Sequence, residues 1–111
     1  MEAYASGNWV VKQGKESEFI QKWRAWLESS RDRHEGLRWG KLLRSASDPL
    51  HFVSLSVWEN KDARDHWMAA DEFRETVAVL RALTDDFAGG SYDVVVAVDG
   101  PLTMTGADGT A

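Results

Sequence analysis

His51-Phe52-Val53-Ser54-Leu55-Ser56-Val57-Trp58 is the stretch that decides the fold. Phe52, Ser54, Ser56 and Trp58 fall on one pleat face, and His51, Val53, Leu55 and Val57 on the other, which is the period of a β-strand. The first face sets two small hydroxyls between two large aromatics, leaving room beside polar donors. Such a face is either a pocket wall or a place where another backbone approaches closely.

Working outward, Ser47-Asp48-Pro49 is a turn signal, and residues 37–45 read as a strand, so 37–45 and 51–58 form a hairpin. Residues 4–12 read as an earlier strand ending at Gln13-Gly14. Over 15–33 the period becomes helical, with Phe19, Ile20, Trp23, Trp26, Leu27 and Ser30 in one stripe. Beyond the hairpin, 62–70 and 71–87 read as two helical pieces, the second with Phe73, Val77, Leu80, Leu83 and Phe87 on one side. Gly89-Gly90 reads as a break, and 91–98 as a fourth strand with a near-continuous apolar run. The order βαββαβ predicts an α+β, ferredoxin-like domain: a four-stranded antiparallel sheet with helices on one face. Valines on both pleat faces of the first and fourth strands predict that the sheet's other face is covered, most simply by a second copy in a homodimer.

The length of 111 residues suits one domain over 1–98, followed by a Gly- and Thr-rich tail at 99–111. A net charge of −5 without a basic run argues against nucleic-acid and anionic-membrane partners. No apolar stretch is long enough for a membrane span, and the N-terminus lacks a basic start with an apolar core, so a cytoplasmic location is expected. With no cysteine there is no thiolate or disulfide chemistry. His34, His51 and His66 lack metal-ligand spacing and no glycine-rich phosphate loop exists, so no cofactor is expected.

Six tryptophans, more than the four phenylalanines or two tyrosines, give the chain its character. Trp23 and Trp26 lie on the helical stripe and read as core. Trp39 lies on the second strand and reads as interfacial. Trp9, Trp58 and Trp67 come from three elements that should converge between sheet and helices, a setting suited to a flat ligand. His66 borders the inward stripe of its helix, either as a general base at the cavity or in a solvated pair with Asp62 one turn back.

Gly7-Asn8-Trp9-Val10-Val11-Lys12-x-Gly14-Lys15-Glu16-x-Glu18-Phe19, Leu42-Leu43-Arg44 to Asp48-Pro49, Phe52-Val53-Ser54 to Val57-Trp58-Glu59 and Asp71-x-Phe73 resemble the antibiotic biosynthesis monooxygenase domain family, over residues 4–98. The resemblance implies a dimeric α+β barrel of ferredoxin-like subunits. One branch of that family oxidises aromatic polyketide anthrones with O₂, without metal or flavin, using an Asn and a Trp four residues later on the third strand. Here those positions are Ser54 and Trp58, and the position of a Tyr six residues further is Arg64. A second branch degrades haem. Its helix Trp is matched by Trp67, but its iron-ligating His position is Val77 and its Asn position is Gly7, which disfavours haem. The expectation is a cofactor-independent monooxygenase-like enzyme acting on a flat aromatic or quinol compound. Ser54, Trp58 and His66 would be catalytic, and Trp9, Phe52, Ser56, Arg64 and Trp67 would contact the substrate. The alternative is a non-catalytic small-molecule-binding module of the same fold.

Overall fold

The alternating segment His51–Trp58 is an inner strand of a four-stranded sheet. The structure, a computed structural model, describes residues 1–100. Its elements run β1 (Ala3–Val11), α1 (Glu16–Arg33), β2 (Leu37–Arg44), β3 (His51–Trp58), α2 (Lys61–Ala69), α3 (Asp71–Arg81) and β4 (Thr84–Asp93). The strands lie in the order β2-β3-β1-β4 and every neighbouring pair is antiparallel, the ferredoxin-like arrangement. Among the described residues no helix is long and apolar enough to cross a membrane.

The core forms where the helical stripe meets the inner pleat face. Phe19, Trp23, Trp26 and Ser30 of α1 are buried, as are Trp9 and Val11 of β1 and Phe52 and Trp58 of β3. Phe19 packs on Trp9 and Phe52 with ring centroids 5.4 and 5.2 Å apart. Burial of a Phe ring is worth about 1.5–3 kcal/mol before its ordering cost. α2 begins at Asn60, whose side chain accepts from the Ala63 amide at 2.8 Å, an N-cap that satisfies one otherwise unpaired donor.

The chain departs from the sequence expectation after Leu80. The helix expected over 71–87 ends at Arg81, and the strand expected over 91–98 is instead Thr84–Asp93. The Leu83 amide turns back to the Leu80 carbonyl, and the Thr84 hydroxyl donates to the Arg81 carbonyl at 2.9 Å, closing the helix end. Phe87 then serves a strand, with its ring 4.0 Å from that of Trp9. Gly89 does not break the strand. It pairs with Gly7, and a Cβ added to it would lie 2.9 Å from the Phe87 ring, so the close approach requires glycine. The valine run lies past the sheet, with Val95, Val96 and Val98 exposed. Of the tail expected at 99–111, residues from 101 on fall outside the described residues.

A bulge in β2 sorts the hairpin's aromatics. Leu37 pairs with Trp58 on the helix side, while Trp39 pairs with Val57 on the opposite face. There Trp39 meets Tyr4 edge-on at 6.2 Å and remains exposed, together with Val10, Leu43 and Tyr92.

Candidate active site

Strand register places the small residues of three strands side by side. Across β3, β1 and β4 the helix-facing rows read Phe52–Trp9–Phe87, Ser54–Gly7–Gly89, Ser56–Ala5–Ser91 and Trp58–Ala3–Asp93. Two rows of hydroxyls, glycines and alanine are thus framed by rows that carry the large rings. From strand geometry the small-residue floor is about 10 Å wide and about 7 Å between rows. Above it is a cavity of about 420 Å³, a volume within the ordinary range for small-molecule sites. Trp23 and Trp26 of α1, Trp67 of α2, and Phe73 and Val77 of α3 supply its other walls.

Each serine on the β3 floor is set by an indole. The Trp9 N–H donates to Ser54 Oγ at 3.0 Å, and the Trp58 N–H donates to Ser56 Oγ at 3.0 Å. With a lone pair so occupied, each serine keeps its O–H as the group to offer a ligand. Ser54 and Ser56 are both buried and both line the cavity. A third indole, that of Trp67, donates to Ser30 Oγ at 3.1 Å, away from the cavity floor. Among the described residues no side chain lining the cavity is ionisable. Its polar side chains are hydroxyls and indole N–H groups, which suit an oxygen-bearing ligand that is neutral or whose charge is delocalised.

Trp9, Ser54, Ser56 and Trp67 come together around this cavity, as the sequence suggested. The remaining candidates stand elsewhere. Trp58 is fully buried behind the wall, against Trp67 at 4.9 Å, and reaches the cavity only through Ser56. Phe52 lines a separate groove between α1 and β2. Arg64 is buried and donates to the backbone carbonyls of Tyr4 at 3.3 Å and Tyr92 at 3.1 Å, with Asp65 and Asp93 at its guanidinium. It ties α2 to the ends of β1 and β4 and does not line the cavity. His66 is exposed and faces His34 at 6.0 Å, outside the cavity; it forms no ion pair with Asp62.

Several cavity residues are not candidates in the sequence, among them Phe73, Val77, Phe87 and Ser91, and also Trp23 and Trp26, which the α1 stripe marks as core. Their stripe is buried as expected, but it is buried against the cavity as well as the sheet. The signal available was the neighbouring patch of small residues, visible only once β1 and β4 are in register. Val77 also lines the cavity and offers no atom that could ligate an iron. Among the described residues no group of three or more His, Cys, Asp or Glu side chains could hold a metal.

A ferredoxin-like α+β domain with an aromatic, hydroxyl-floored cavity between sheet and helices defines the class. The chain belongs to the antibiotic biosynthesis monooxygenase family, whose model matches residues 4–79. Among solved structures it is similar to SnoaB, a cofactor-independent oxygenase from Streptomyces nogalater, at 23% identity and a TM-score of 0.76, covering 89% of this chain and 98% of that one. A candidate antibiotic biosynthesis monooxygenase from Deinococcus radiodurans is 17% identical with a TM-score of 0.77, covering 87% and 96%. A conserved protein from Methanosarcina mazei is 19% identical with a TM-score of 0.72, covering 83% and 91%. No curated protein matches the sequence.

Proposed function

We propose that the protein is a cofactor-independent oxygenase that converts an activated ring carbon of a flat aromatic or quinol-type compound to a carbonyl, using O₂. The observation that carries this reading is the pair of serine hydroxyls, each oriented by an indole N–H, on the floor of a cavity with no ionisable side chain. A substrate whose CH₂ carbon is acidified by a neighbouring carbonyl loses its proton to water and becomes an enolate. Its oxygen then accepts the Ser54 and Ser56 hydroxyls, and donors preorganised in a low-dielectric site stabilise such charge strongly. The electron-rich carbon passes one electron to O₂, and the carbon radical and superoxide combine to form a C–O bond. The protonated hydroperoxide eliminates water to leave the carbonyl, so each turnover consumes one O₂ and releases one water. SnoaB, a cofactor-independent oxygenase of the same fold, gives the reading a precedent.

The test is O₂ uptake by the purified protein with a panel of anthrones and quinols. Uptake with one water and one carbonyl formed per O₂ is expected. Tight ligand binding without uptake would assign the cavity to a non-catalytic binding module instead.

The working unit we propose is a homodimer joined through the outer sheet face. Val10, Trp39, Leu43 and Tyr92 are 37%, 38%, 45% and 56% exposed there, an apolar group seldom left to water on one sheet face. A Leu43→Glu variant should run as a monomer in light scattering at micromolar concentration. A monomeric wild-type protein would refute the dimer.

A further inference from the structure

Six indole N–H groups separate into three sets. Those of Trp9, Trp58 and Trp67 end on serine hydroxyls, and Trp39 lies on the outer sheet face. Those of Trp23 and Trp26 are buried, shut off from solvent, and have no acceptor among the described residues. Both residues are 4% exposed, their rings are 4.8 Å apart, and both line the cavity from the helix side. A buried donor without a partner costs about 1–3 kcal/mol, and native interiors seldom keep one without reason. Phenylalanine would fill most of the same volume without that cost, so two adjacent orphan donors need an account beyond packing.

We propose that the Trp23 and Trp26 N–H groups, closed to solvent in this structure, turn toward a ligand in the cavity as a second oxygen-binding subsite on the helix wall, across from Ser54 and Ser56. This inference rests on the ligand-cavity reading above and adds to it the chemical class of ligand. The ligand carries hydrogen-bond-accepting oxygens on two different edges of a planar ring system, one edge for the serines and one for the indoles. It enters neutral or with its charge delocalised, because among the described residues the cavity wall holds no cation to neutralise a localised carboxylate or phosphate. Occupancy completes the hydrogen bonding of the two indoles.

The test compares 1,4-naphthoquinone, with oxygens on opposite positions of one ring, against 1-naphthol, with a single oxygen, by calorimetric titration of the full chain. The absence of cysteine leaves no thiol for the quinone to alkylate. The wild-type protein should bind the quinone at least about tenfold more tightly than the naphthol, the ratio that one net hydrogen bond supplies. In the double variant Trp23→Phe/Trp26→Phe the preference should fall below about threefold. The urea midpoint of that variant should not fall, since the substitution removes two unsatisfied donors. Should the double variant fail to fold, Trp26→Phe alone is expected to give a smaller drop in the same ratio. A preference that survives the substitutions, or a parallel loss for both ligands, overturns the subsite and leaves the oxygenase reading standing. Failure of both ligands to bind the wild type overturns the cavity reading and this inference together.

Discussion

Trp9 Nε1 and Ser54 Oγ meet at 3.0 Å over a position where no side chain fits. A Cβ on Gly7 would lie 2.7 Å from that nitrogen and 2.9 Å from that oxygen, so the glycine, the indole and the hydroxyl form one unit. The indole is core by burial and belongs to the site by its hydrogen bond. Packing and the candidate site are therefore coupled at this point.

Gly7→Ala should separate the pair. The methyl forces the indole or the serine aside, an overpacking cost of about 1–3 kcal/mol, offset by about 0.4–1 kcal/mol from the stiffer unfolded chain. A net loss of about 1–2 kcal/mol is expected, read as a lower urea midpoint at unchanged slope. Ligand affinity should fall with it. An unchanged midpoint would mean that the sheet relaxes around the methyl at no cost.

Ser54→Ala and Ser30→Ala test whether the serines act on substrate or only on tryptophan. Each removes the acceptor of one buried indole N–H, Trp9 in the first case and Trp67 in the second, so each should lose about 1–3 kcal/mol of stability. Only Ser54 lines the cavity. Ser54→Ala should therefore lower kcat by about 10²-fold, the usual effect of deleting one oxyanion donor. Ser30→Ala should leave kcat within about threefold, since donor loss outside the reacting centre has no such effect. Equal losses of kcat in the two variants would assign the effect to stability alone.

The sequence made parts of this site legible because they depend on short-range pattern. The alternation of Phe52, Ser54, Ser56 and Trp58 survives intact as β3, and the α1 stripe is buried as its period requires. What escaped depends on register between distant segments. Gly89-Gly90 looks like a break in isolation. Gly89 pairs with Gly7, a Cβ on Gly89 would meet the Phe87 ring, and the strand runs through both Gly89 and Gly90. Leu83 and Phe87 continue the helical period past Arg81, so periodicity alone carries the helix six residues too far. In α2 the indole of Trp67 points into the cavity while His66, one residue and about 100° earlier, turns to solvent. Three residues before Trp67, Arg64 finds two backbone carbonyls instead of a ligand.

Arg64→Met should confirm that division of labour. The variant loses hydrogen bonds to the Tyr4 and Tyr92 carbonyls and the link from α2 to the sheet. The partner carboxylates of Asp65 and Asp93 are 50% and 76% exposed and return to water, so the large penalty of a stranded buried charge does not arise. A loss of about 1–3 kcal/mol is expected from the hydrogen bonds alone. Ligand affinity should change less than about twofold, the scale of a residue that does not touch the ligand. A tenfold loss of affinity at unchanged stability would return Arg64 to the binding site.

The pH dependence of turnover should belong to the substrate. Among the described residues no side chain lining the cavity can take or give a proton in the neutral range, so under the proposed oxygenase reading proton loss from a bound carbon acid goes to water, driven by the donors at its oxygen. The rate should rise with pH through the ionisation of the substrate, and the profile should move to lower pH when a more acidic analogue is used. His66 is exposed and directed at His34, so His66→Ala should leave both the profile and kcat within about twofold, far less than the 10²–10⁴ of a general base. A profile that stays fixed while substrate acidity changes, and that disappears in His66→Ala, would place the base on the protein after all and require α2 to turn His66 inward during catalysis.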